Sequence, residues 1–211
     1  MHNHINISDY SDVELKIIEA ANKVFLQYGV EATTMQQIAH EADISRTALH
    51  YYFRNKSQLY ECIIEILSNR IIPQLSSTLS SNASVVEKIE IFVNNYIDLI
   101  VEYPMVPGFI LSEMQKESNW ILTTFEKKIL DTDIARFQIQ IQKEVEEKKI
   151  NPITPIDLIS NVMGLCIFPI VGRPLYLKFI FDNDNEAYVQ YLNERKKTII
   201  NVIKAWLEPV E

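Results

Sequence analysis

Four glycines in 211 residues leave this chain few places to turn sharply, and its β-branched residues are scattered rather than set in alternating runs. That pattern favours long helices over hairpins. Helix-start signals recur along the whole length. Thr34 with Gln37, Asn55 with Gln58 and Ser84 with Glu87 are capping-box pairs, and Thr154 precedes Pro155 at a first helical position, each ahead of an apolar run. Such residues satisfy the first amides of a helix, which have no partner within it.

Between these marks, apolar residues return every three or four positions. A first helix is expected over 12–28, with Val13, Ile17, Ala20, Val24 and Tyr28 on one stripe and Gly29 ending it in the left-handed conformation. A short second helix reaches Ala42, Asp43-Ile44 make a tight turn, and Ser45 caps a third helix with Leu49 and Phe53 inward. A fourth begins near Lys56 and is expected to stop at Pro73, with Ser76 to Asn82 as a loose connection. Later helices are expected from Ser84, near 109–116, through Phe125 to Val145, over 155–171, over 175–181 after a break at Gly172 and Pro174, and over 185–207. The expected fold is all-α, with about nine helices and no sheet. An N-terminal three-helix domain spans 1–56, and a larger helical domain spans 57–211, bridged by the fourth helix.

Composition narrows the function. A hydrophobic fraction of 47% supplies an ample core, yet no run approaches the roughly 18 apolar residues of a membrane span. The opening residues MHNHINISDYSD carry neither a basic n-region nor an apolar h-region, so no signal peptide is expected. Cys62 and Cys166 lie far apart in apolar segments and read as reduced core residues of a cytoplasmic protein, with a redox role as the alternative. No nucleophile elbow, phosphate loop, HExxH or paired zinc ligands occur, so no catalytic residue, metal or cofactor is expected. His2 and His4 are at most adventitious metal ligands.

Short helix, tight turn, short helix at 35–53, under a longer helix, is the helix-turn-helix arrangement. Its second helix suits the major groove while the first abuts the backbone. The net charge of −8 opposes that role, because phosphates reward Lys and Arg. Within 1–65, Lys16, Lys23, Arg46, Arg54 and Lys56 are five cations against nine acids. A DNA contact here must rest on where a few cations stand.

Residues 17–67 resemble the DNA-binding domain of the tetracycline-repressor (TetR) family. The resemblance is carried by Phe25, Gly29, Thr33-Thr34, Ile38-Ala39, Ala42, Ser45, Leu49-His50-Tyr51-Tyr52-Phe53, Lys56 and Leu59. It implies that Arg46 and Thr47 read bases, Arg46 having the reach for a bidentate pair with guanine; a merely solvated helix-start arginine is the alternative. His50 and Tyr51 correspond to the family's paired tyrosines, which touch phosphates and sugars, and His50 departs from that Tyr. Lys56 resembles a phosphate-clamping lysine, and Thr33, Thr34 and Gln36 stand at the start of the second helix, beside the next phosphate.

The resemblance further implies a homodimer through two C-terminal helices, about 156–181 (with its break at Gly172) and 185–207. Ile159, Met163 and Cys166 form one candidate stripe, and Tyr188, Leu192, Ile199 and Val202 the other, with monomer core as the alternative reading. Phe92, Tyr96, Phe109, Met114, Trp120, Phe125 and Phe168 are candidates to line a pocket for a small apolar or aromatic effector, each equally fit for core. The implied function is a ligand-responsive repressor of a palindromic operator, whose effector shifts the fourth helix and the spacing of two reading heads. An activator, or an architectural or division-control factor governed by a protein partner, is the alternative.

Overall fold

The structure, a computed structural model, describes residues 10–30, 32–104, 106–114 and 131–209. Among these it contains ten helices and no strand: α1 (Asp12–Tyr28), α2 (Met35–Glu41), α3 (Arg46–Tyr52), α4 (Lys56–Ser80), α5 (Val85–Glu102), α6 (Val106–Met114), α7 (Asp131–Glu146), α8 (Pro155–Val171), α9 (Arg173–Phe179) and α10 (Asn185–Leu207). The chain forms two compact units, Met1–Pro73 and Gln74–Glu211. The division falls inside α4, later than the boundary at 56 expected from sequence.

In the first unit, Ser11 and Glu14 form a capping box at the start of α1. Gly29 ends α1 at φ 78°, as a glycine should, though its ψ of 156° is extended rather than left-handed helical. Ile17, Ala21, Phe25, Ile38, Ala39, Leu49, Leu59 and Ile63 are buried together as the core of this unit, and the Phe25 and Tyr60 rings meet at 5.4 Å. Cys62 donates to the Tyr10 hydroxyl at 2.7 Å, and burial pushes its thiol pKa up to about 11. A thiol so placed is largely unionised and unreactive at neutral pH.

α4 does not stop at Pro73; the helix runs on to Ser80, so 76–80 is helical rather than a loose connection. Proline withholds one amide from the ladder, and past it the hydroxyls of Thr78 and Ser80 bond back to the carbonyls of Gln74 and Ser76, holding the last turns.

In the second unit α5 is central, packed against α7, α8 and α10. Its apolar stripe (Val85, Ile89, Val93, Ile97, Ile100) is fully buried against Ile141, Leu158, Val162, Cys166, Leu192 and Ile199. Pro169 lies inside α8 and leaves the Leu165 carbonyl without its helical donor. Arg195 Nη2, reaching from α10, donates to that carbonyl at 3.4 Å. Tyr188 donates to the Pro169 carbonyl at 3.0 Å.

One polar network penetrates this core. Lys88 is 3% exposed, and its ammonium donates to the Leu79 carbonyl and to Gln140 Oε1, both at 2.6 Å. Gln140 Nε2 donates to the Ala83 carbonyl and to Glu144 Oε1, and the Glu144 carboxylate accepts the Val85 amide at the start of α5. Burial draws the Lys88 pKa below the usual ammonium range, and the Glu144 charge opposes that shift. A buried charge of this kind is stable only while its counter-charge remains. Lys88→Met should therefore cost about 3 kcal/mol of unfolding free energy in urea titration. Adding Glu144→Gln should recover most of that loss, since no unpaired buried charge is left.

Candidate nucleic-acid interface

α2 and α3 are seven residues each, and each is held by a cap. At α2 the Thr34 hydroxyl accepts the Gln37 amide at 3.3 Å while Gln37 Oε1 accepts the Thr34 amide at 2.8 Å, the reciprocal box read from sequence. Ala42 to Ile44 then turn the chain, with Asp43 at φ 53° and the Ile44 amide donating to the Ala39 carbonyl at 3.0 Å. Ser45 accepts the Ala48 amide at 3.0 Å and starts α3. The box at Asn55 is shifted by one residue: Asn55 Oδ1 accepts the Gln58 amide, but Gln58 Oε1 accepts from Arg54.

These caps and the buried Leu49 and Phe53 fix which side of α3 faces outward. Arg46, Thr47, His50 and Tyr51 are all exposed on it, with Tyr51 84% exposed and its ring edge-on to Tyr52 at 5.2 Å. Arg46 Nε donates to His50 Nε2 at 3.4 Å, and His50 Nδ1 lies 3.1 Å from the Arg54 carbonyl. Thr34 and Gln36 are exposed at the start of α2, where first-turn amides lack helical partners and favour an anion.

Two residues differ from the sequence expectation. Thr33 is 2% exposed, and its hydroxyl donates to the Gly29 carbonyl at 2.7 Å, so its side chain belongs to the core and not to the outer face. Lys56 is half-buried, and its ammonium donates to the carbonyls of Val30 at 2.8 Å and Thr33 at 3.3 Å. It pins the connection between α1 and α2 from the start of α4. Neither bond is visible in sequence, because the partners lie 26 and 23 residues away.

In the second unit a cavity of about 230 Å³ lies among α4, α5, α7 and α8, with walls including Leu79, Ile89, Phe92, Phe137, Val162 and Met163. Of the expected pocket residues, Phe92 lines it and Tyr96 stacks on Phe92 at 5.3 Å. Phe168 does not; it is 64% exposed on the outer side of α8, which corrects its placement. Trp120 and Phe125 lie outside the described residues, as do the side chains of Phe109 and Met114.

The dimer stripes also need correction. Cys166, Tyr188, Leu192 and Ile199 are spent on the core of their own unit, because the α8 and α10 faces that bear them are turned toward α5. Ile159 and Met163 line the cavity, and of the candidate dimer residues Ile159 and Val202 are exposed. Besides these, Phe168 and Val171 of α8 with Leu175, Phe179 and Ile180 in and after α9 are exposed apolar side chains, as is Ile156 near the start of α8. The four-residue spacing of Leu175 and Phe179 was the available signal.

The chain is similar to several known proteins. The profile described as "Bacterial regulatory proteins, tetR family" matches residues 17–63. YhgD of Bacillus subtilis, an HTH-type transcriptional regulator, is 39% identical over 173 residues, covering 79% of this chain and 81% of YhgD. IcaR of Staphylococcus epidermidis, the negative transcriptional regulator of the icaADBC biofilm operon, is 25% identical over 122 residues, 54% of this chain and 66% of IcaR. Among solved structures, FadR of Bacillus subtilis in complex with stearoyl-CoA superposes with a TM-score of 0.54 at 15% identity, covering 88% of this chain and 97% of that one.

Two substitutions separate reading from scaffolding. Arg46→Ala should leave thermal unfolding unchanged, yet cost about 1–3 kcal/mol of affinity for a preferred duplex and relax base preference. Lys56→Met should lower the unfolding temperature and weaken all duplexes alike, because it frees the loop that seats α2.

Proposed function

Because the chain belongs to the tetR family of bacterial regulatory proteins, we propose that it is a cytoplasmic repressor that binds a palindromic operator as a homodimer and is released by a small apolar effector. The observation that carries this reading is the outward face of α3, where Arg46, Thr47 and Tyr51 are exposed on a helix whose other side is locked by Leu49 and Phe53. Arg46 supplies the donors for guanine O6 and N7. Tyr51, Thr34 and the first amides of α2 suit phosphate oxygens. In this reading Lys56 contributes by seating α2 as much as by its charge.

A palindrome needs two heads, and the apolar group Phe168, Val171, Leu175, Phe179 and Ile180 supports a second copy as the occupant of that surface. Both elements belong to the last part of the chain, where dimerisation was expected. The cavity supports the effector, and its apolar walls favour a hydrocarbon or aromatic body over a charged one. Repression, rather than activation, draws support from IcaR, a negative regulator. In the proposed switch the effector favours a state in which the two heads no longer match the operator, and its differential affinity for the two states sets the size of the response.

Selection of duplexes from random DNA with the purified protein is the direct test, and the expected product is an inverted repeat. No enrichment at low salt would sink the operator. Phe179→Glu should give a monomer in sedimentation and lose most operator affinity. Met163→Trp, which fills the cavity, should keep operator binding and abolish release by any effector found. Stearoyl-CoA, present in the FadR structure, is a first probe beside shorter alkyl and aromatic compounds. Release that survives the filled cavity would place the effector elsewhere.

A further inference from the structure

His50 is not idle on the outer face of α3. Its two ring nitrogens meet partners of opposite kind. The Arg54 carbonyl, 3.1 Å from Nδ1, can only accept, so Nδ1 carries the hydrogen. The Arg46 Nε–H can only donate, so Nε2, 3.4 Å away, offers its lone pair. The two contacts together require the neutral ring in a single tautomer, and each fixes the orientation the other needs.

An arginine can grip a base or phosphate side-on, through Nε and one terminal nitrogen, or end-on, through both terminal nitrogens. With Nε held by His50, the side-on edge is closed and the two terminal nitrogens are left for a base. We propose that His50 is a specificity-determining positioning residue that presents Arg46 to the major groove by its two terminal nitrogens. The inference rests on the reading of α3 as the DNA-facing helix. In water a bond between exposed groups adds little. Against a duplex, with water excluded, an already oriented guanidinium avoids part of the ordering cost of binding, and the hydrogen bond itself strengthens. The two residues are four apart on one helix, so the pair forms within α3, and the Arg54 carbonyl just past its end holds the ring.

The test uses the full-length protein and the operator obtained by selection. For each variant, affinity is measured for that operator, for the same duplex with the guanine read by Arg46 replaced, and for an unrelated duplex. His50→Leu should reduce the preference for guanine by about tenfold, the loss expected when one bidentate pair is misaligned, while affinity for the unrelated duplex and circular dichroism stay unchanged. His50→Gln keeps an acceptor at the same reach and should restore most of the preference. In the Arg46→Ala background His50→Leu should add nothing further, since the two act as one unit. Undiminished guanine preference in His50→Leu would overturn the proposal, as would an equal loss on all three duplexes, which would mark His50 as a phosphate contact. Absence of any sequence preference in the unsubstituted protein is a separate outcome; it removes the reading of α3 and the role of His50 with it.

Discussion

Seven residues are too few to hold a helix in water, yet α2 and α3 are each that short and carry the outward face of the first unit. What holds them is the joint closure of their ends and one side: Thr34 with Gln37, Ser45 with the Ala48 amide, and Leu49 and Phe53 sunk beneath. Lys56 closes the arrangement by tying the turn before α2 to the start of α4. Exposed side chains on so short a helix are oriented only as well as that closure is complete. The position of Arg46 thus depends in part on Leu49 and Phe53, which are buried beneath it.

The second unit solves a different problem, that of polar groups inside an apolar bundle. Pro169 leaves a carbonyl unmatched in the ladder of α8, and Arg195 answers it from α10. The ammonium of Lys88 and the carboxylate of Glu144 are joined through Gln140, so that each buried donor and acceptor in the chain of bonds is answered. These links tie α5 to α7 and α8 to α10, beside a cavity among α4, α5, α7 and α8 whose exposed lining is apolar. Salt bridges from Lys196 to Asp98 and from Lys204 to Glu90 fasten the outer side of α10 to α5.

How much of this was legible depended on the distance between partners. Caps join residues three apart, and helix stripes repeat every three or four, so the start of α2 at Thr34, the turn at Asp43 and the burial of Leu49 could all be read directly. The pins that cross the chain could not: Lys56 to Val30, Lys88 to Gln140, Ser76 to Asp133. The misplacement of Phe168, and of Cys166 and Tyr188, has one cause. An apolar stripe on a helix shows that some face is buried, but not against what. On α8 the stripe facing α5 and the stripe facing outward are both apolar, and only packing tells them apart. Proline misled in a similar way, since Pro73 breaks the amide ladder without ending α4.

The ammonium of Lys56, folded inward onto two carbonyls, has a consequence for how such a protein behaves on a chromosome. Its charge remains, but its donors are spent on Val30 and Thr33, so one cation of an already acidic head is held back from direct contact with phosphate. In a head with few cations, each one withheld lowers the share of phosphate attraction that is blind to sequence.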